Sequence, residues 1–142
     1  MDDAASDRCW AMLALAAPNI ADVGTGRIGS FIRRDKSREK VRSALLVAGL
    51  AGLGRISPDT ANSLNRRYDL GLGHVTSWTS MIDAAAGRGQ AGTVLVLTGT
   101  GLQTPFFDHV PSAHLYHAVA ALNRTGQGFT ARMIAAEALS RT

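Results

Sequence analysis

GTVLVLTGTG, residues 92–101, admits two readings that lead to different folds. Taken alone it is a β-branched apolar run bounded by glycines, the composition of a buried strand entering a Gly-rich turn. The chain would then be α/β. Its surroundings argue otherwise. Offset by 37 residues against itself, the chain lays SWTSMIDAAAGRGQAGTVLVLTGTGL over HLYHAVAALNRTGQGFTARMIAAEAL. Trp78 then falls on Leu115, Ala84 on Ala121, Gly89-Gln90 on Gly126-Gln127, Thr93 on Thr130 and Leu102 on Leu139. The partner of the ambiguous stretch is TARMIAAEAL, which is dominated by strong helix formers. Intrinsic propensity is a weak prior, so the equivalence outweighs it and predicts a helix. The expected fold is all-α.

Working outward, a third unit has the same outline. KVRSALLVAGLAGLG leads through Gly54 into RISPDTANSLNRRYDL. Gly54, Gly89 and Gly126 stand 35 and 37 residues apart, a period found in helical-hairpin repeats. Each glycine suits the position after a helix C-terminus, where the backbone turns to positive φ. Ser57-Pro58-Asp59 reads as an N-cap, a proline in the first turn and an acid at the positive helix end. Leu115, Val119 and Leu122 form one helical stripe, and Pro111 suits the first turn ahead of it. ALLVAGLAGLG is apolar all round, which predicts an inner helix covered on both sides. Further upstream, helices are expected over 7–16 and 28–36. The predicted organisation is one domain of stacked antiparallel hairpins, solenoid-like. It divides into N-terminal helices and a Gly-rich loop over 1–37 and hairpins over 38–72, 73–109 and 110–142.

Composition sets the outer limits. Among 142 residues, 46% are hydrophobic and 18% charged, the reverse of a disordered chain. The acidic start MDDAASDRCW lacks the basic residues of a secretory leader, and the longest apolar runs are about half a membrane span. Cys9 is the only cysteine, so no internal disulfide or cysteine-based zinc site can form. These features predict a cytoplasmic protein without a membrane span. Cys9 is expected in a small core, with Trp10 and Trp78 as packing anchors.

The formal charge of +4 is uneven. It is concentrated in RRDKSREKVR, where Arg33, Arg34, Lys36, Arg38, Lys40 and Arg42 stand against Asp35 and Glu39. Such a run is either a solvated helix face or a patch for nucleic acid or another anionic surface. Helix, short turn and helix over residues 43–70 have the outline of a DNA-binding unit. Asp59, however, sits where a recognition helix would meet phosphates.

Three further patterns bear on chemistry. VGTGRIGSF holds Gly24, Gly26 and Gly29 in the G-x-G-x-x-G spacing of dinucleotide sites. No strand precedes it and no acid follows about 20 residues later, so it reads as a loop and no cofactor is expected. DHVPSAHLYH holds His109, His114 and His117, of which the last two share a helix face at i, i+3. With Asp108 they could hold a metal in a metal-dependent enzyme, or serve only as exposed or hydrogen-bonded imidazoles. Ser77, Ser80 and Ser112 lie near histidines without the G-x-S-x-G elbow of hydrolases.

The paired apolar helices over about 38–140 resemble antiparallel hairpin repeats of the tetratricopeptide type. Trp78 and Tyr116 match single positions of that signature, and its Leu-Gly pair is absent. The ending HVPSAHLYHAVAAL…ARMIAAEAL is also similar to the C-terminal part of long uncharacterised bacterial helical proteins, a kinship that implies no activity. The resemblance implies a non-enzymatic protein-binding or scaffold module. Its partner would be another protein or a second copy. No polar capping helix follows Leu139, so a partner would cover the end helices, or the chain would be the C-terminal part of a longer array.

Overall fold

The computed structural model describes residues 2–103 and 110–142. Within them the regular structure is helical throughout: α1 (Asp3–Ala16), α2 (Thr25–Arg34), α3 (Val41–Gly52), α4 (Pro58–Tyr68), α5 (Ser77–Gly87), α6 (Ala91–Gly101), α7 (Ser112–Arg124) and α8 (Gly128–Ser140). A 3-10 turn, Arg38–Lys40, precedes α3. The ambiguous stretch is the helix α6. Val94 and Thr98 are buried there while Val96 between them is exposed, whereas a β alternation would put all three on one side.

The three hairpins end their first helices in one way. Gly54, Gly89 and Gly126 have φ of 71°, 70° and 80°. At each, the next residue's N–H reaches back to the carbonyl five residues earlier: Arg55 to Leu50, Gln90 to Ala85 and Gln127 to Leu122. That is the Schellman closure, and glycine enters the left-handed region without a Cβ penalty. At the start of α4, the Ser57 side chain accepts from the Thr60 N–H and Pro58 opens the helix.

The hairpins do not pack in chain order. Helix α7 lies most widely against α3 and also contacts α5, α6 and α8, so the third hairpin sits between the first and the second. Helix α3 is the inner helix, with every residue from Ser43 to Leu50 buried. Its glycines set the spacing. A Cβ on Gly49 would meet Leu15 of α1 at 2.8 Å and Ala135 of α8 at 3.2 Å. One on Gly52 would meet the Val119 side chain at 2.9 Å and the Tyr116 carbonyl at 3.0 Å. The core is built from Ala, Leu, Ile and Val. Small side chains on facing helices let the backbones approach closely, and dispersion contacts gain accordingly.

Three expectations for the N-terminal region are corrected. Helix α1 begins at Asp3, not Asp7, because the Asp2 side chain caps it by accepting from the Ala5 N–H at 2.7 Å. Gly24 is the N-cap of α2, and Gly26 and Gly29 lie inside that helix rather than in a loop. Cys9 is exposed, on the solvent side of α1. Trp10 does anchor the region, 6.0 Å from the Phe31 ring with the Arg27 guanidinium 4.6 Å over its face.

An ion cluster around buried Asp7 joins α1 to α2. Asp7 accepts from Arg27 Nη1 at 2.7 Å and from Arg34 Nε and Nη2 at 2.6 and 2.5 Å. The Arg34 bonds outweigh the cost of burial and, with Arg27, hold the Asp7 carboxyl down to about 2. A carboxyl depressed in the folded state stabilises the fold fully above its unfolded value near 4. The contribution is lost as pH falls toward 2. Asp7→Asn is therefore expected to cost about 1–2 kcal/mol at neutral pH, the guanidinium groups keeping partial contact with water. Urea midpoints of the two chains should converge between about pH 4 and pH 2; a gap that persists at pH 2 would mean that shape, not charge, makes the contact.

Candidate functional site

The basic segment is not one solvated helix face. Helix α2 ends at Arg34, and the chain turns through Glu39 and Lys40, both at φ 52°. Three of its six cations are built into the fold. Arg34 holds Asp7, as above. Lys40 Nζ donates to the Ile32 and Asp35 carbonyls at 2.6 and 3.2 Å, closing the C-terminal end of α2. Arg42 Nη2 donates to the Thr142 carbonyl at 2.7 Å. Arg33, Lys36 and Arg38 are exposed, with Arg33 donating to Ser30 Oγ at 3.1 Å.

Asp35 organises this turn. It accepts from the Ser37 N–H and hydroxyl and from the Ser43 N–H and hydroxyl, at 2.6–2.9 Å. Burial pushes its carboxyl up, and the bonds from Ser37 and Ser43 outweigh that and leave it below the usual range. Helix α3 has no side-chain cap of its own at Lys40, so Asp35 and Ser37 supply it from a distance, taking the Ser43 and Arg42 N–H groups. The left-handed pair Glu39-Lys40 is the backbone cost of that arrangement.

The same segment borders an open groove of about 1100 Å³. Arg38, Lys40, Arg42 and Arg141 line it, with Glu39 and Asp69 as the acids. Its apolar lining includes Val41, Leu45, Leu70 and Val110.

The histidines do not converge. His114 Nε2 lies 3.4 Å from Thr76 Oγ1, and its ring stacks 4.7 Å from Trp78. Burial pushes the His114 imidazole below its usual range, against an opposing contribution from the Gly101 carbonyl. His117 Nδ1 turns away, 2.8 Å from Asp83. His109 and Asp108 lie outside the described residues. Among the described residues no three His, Cys, Asp or Glu side chains group as metal ligands would. Ser112 Oγ donates to the Leu70 carbonyl and so caps the chain after α4.

A second surface lies on α6. Gly92, Leu95, Val96 and Gly99 are all exposed, and their i, i+3, i+4, i+7 spacing puts them on one stripe. Leu95 is 45% and Val96 68% exposed. No charged residue occurs from Gly89 to Gln103. A Cβ on Gly92 or Gly99 would meet nothing within 4 Å, whereas one on Gly101 would overlap the Trp78 indole. Gly101 is thus required by internal packing; Gly92 and Gly99 are not. The stripe was in view in the opening stretch of sequence, but uniform hydrophobicity hid which side faced outward.

No helix among the described residues is long and apolar enough to cross a membrane. No protein-family model matches the chain, and comparison with curated proteins and with solved structures finds no match.

Proposed function

We propose that this chain is a non-enzymatic protein-binding module that pairs with a second copy of itself through the outer face of α6. The observation that carries the reading is Gly92-x-x-Leu95-Val96-x-x-Gly99. Each interior glycine weakens a helix by about 1 kcal/mol relative to alanine. Nothing inside the fold requires Gly92 or Gly99 to lack a side chain. Glycines on a helix face allow a second backbone to come close, and that partner would cover Leu95 and Val96, now 45% and 68% exposed. The stripe also has the same pattern in both directions. In an antiparallel two-fold pair, Gly92 faces Gly99 of the other copy and Leu95 faces Val96, the self-complementarity an isologous interface needs.

Sedimentation of the whole chain across a concentration series tests this. A concentration-dependent dimer is expected, with Val96→Glu monomeric throughout. Gly92→Ala and Gly99→Ala are each expected to raise thermal stability of the monomer while weakening the dimer. A chain that stays monomeric at every concentration, or a dimer indifferent to Val96→Glu, overturns the proposal.

A further inference from the structure

The groove between the 3-10 turn and the start of α7 is independent of the α6 face, and we infer that it binds an acidic peptide segment of a partner protein, one that carries apolar side chains between its carboxylates. Three features of the groove argue for that occupant. The first is charge. Arg141 is paired with Glu137; Arg38, Lys40 and Arg42 face Glu39 and Asp69 along the groove, and Arg38 is exposed at the rim, so the local field favours an anion. The second is an under-used guanidinium. Arg42 donates from Nη2 to Thr142, and its Nε is enclosed without an acceptor. A guanidinium presents five donors in a planar fork and matches a carboxylate in two-point contact. A carboxylate entering beside Val41 would reach this guanidinium and also lie at the N-terminal, positive end of α3.

The third feature is the apolar floor. Leu45 and Leu70 are buried, and half-buried Val41 and Tyr68 stand beside them on the groove surface. A nucleic-acid backbone gains nothing from aliphatic side chains, because its affinity comes from phosphate contacts and base stacking. A peptide that alternates acid and leucine uses both walls. The volume of about 1100 Å³ and the open shape also suit an extended segment better than an enclosed small molecule.

The test is fluorescence anisotropy of the full chain with a labelled peptide alternating glutamate and leucine. Its glutamine-for-glutamate counterpart and an oligouridine of equal charge serve as probes of the two contributions. Binding is expected for the glutamate peptide, weakening at least tenfold as ionic strength rises from about 0.05 M to about 0.5 M. The glutamine peptide should bind at least tenfold more weakly. Arg38→Glu, an exposed position, should cut affinity about tenfold without changing the melting temperature; Val41→Asp should cut it through the floor and also lower the melting temperature, because Val41 packs on the core as well. Equal binding of both peptides, tighter binding of oligouridine, no binding at all, or affinity unchanged in Arg38→Glu would each overturn the inference. The pairing of α6 faces is read by sedimentation, and Val96→Glu should leave peptide affinity unaltered, so failure of one proposal is distinguishable from failure of the other.

Discussion

The Gly52→Ala chain is expected to unfold about 1–3 kcal/mol more easily than the parent, and Gly52→Leu not to fold cooperatively at all. The sign is what makes the first result informative. Gly52 lies in the last turn of α3, where alanine by itself would favour the helix by up to about 1 kcal/mol. Its Cβ would press on Val119 at 2.9 Å and on the Tyr116 carbonyl at 3.0 Å. The carbonyl belongs to the backbone of α7 and has no rotamer to change. Relief requires α3 and α7 to separate, and they form the widest helix contact in the molecule. Separation by a few tenths of an ångström forfeits dispersion contacts along the whole interface, which outweighs the local gain. Gly87→Ala, at the last residue of α5 and outside the face proposed to pair, is the matched control. It is the same chemical change in a helix, with nothing within 4 Å of the new methyl, and it should stabilise. Guanidinium-chloride midpoints of the two variants should move in opposite directions. Movement in the same direction would show that backbone propensity, and not close approach, sets the value of these glycines.

Arg55→Met is the second large effect, with an expected loss of about 3 kcal/mol or more. Arg55 follows the Schellman turn of α3 and is only 6% exposed. Its Nη1 donates to the Ala14 carbonyl at 2.6 Å and its Nη2 to the Ala17 carbonyl at 2.5 Å. Arg132 of α8 adds a bond from Nε to the Ala16 carbonyl at 3.2 Å. The two arginines thus close the C-terminal end of α1, where helix carbonyls have no partner of their own and the dipole is negative. Burial, with Arg132 nearby, lowers the Arg55 proton affinity, yet a guanidinium remains charged. Methionine keeps the apolar stem and removes both donors, so the carbonyls are left enclosed and unpaired. Arg55→Lys should recover less than half of the loss, because one ammonium does not span two carbonyls as the fork does. Chemical denaturation gives the totals. Amide exchange in α1 should rise first in Arg55→Met, and uniform loss of protection across all helices would contradict the role assigned to Arg55.

The features legible in sequence were those decided within a few residues. Ser57-Pro58 opens α4 because one hydroxyl satisfies one N–H three positions on. Gly54, Gly89 and Gly126 turn the chain because only a residue without Cβ enters positive φ freely. Asp69 ends α4 in the same region, at φ 53°, without a glycine to announce it. The reading of Gly24, Gly26 and Gly29 as a loop failed, since nothing local distinguishes a tolerated helical glycine from a turn glycine. The basic segment was legible as charge only. That Lys40 would cap α2 while Arg38 stayed exposed depends on a turn whose cap, Asp35, acts eight residues away on Ser43.

By itself, then, the chain's sequence determined where the hairpins turn and that α3 is the inner helix, because periodicity, caps and glycine conformations act over less than two helical turns, and it marked α6 as a helix only through its likeness to the stretch 37 residues on. Only the tertiary structure decided that the third hairpin lies between the first two, that Arg55 closes α1, and which side of α6 faces solvent. The physical reason is that the helix faces are nearly interchangeable surfaces of alanine, leucine and valine. Such faces specify burial but not a partner. The partner is chosen by close fit at Gly49, Gly52 and Gly101 and by hydrogen bonds such as Arg55 to Ala14, between residues far apart in the chain.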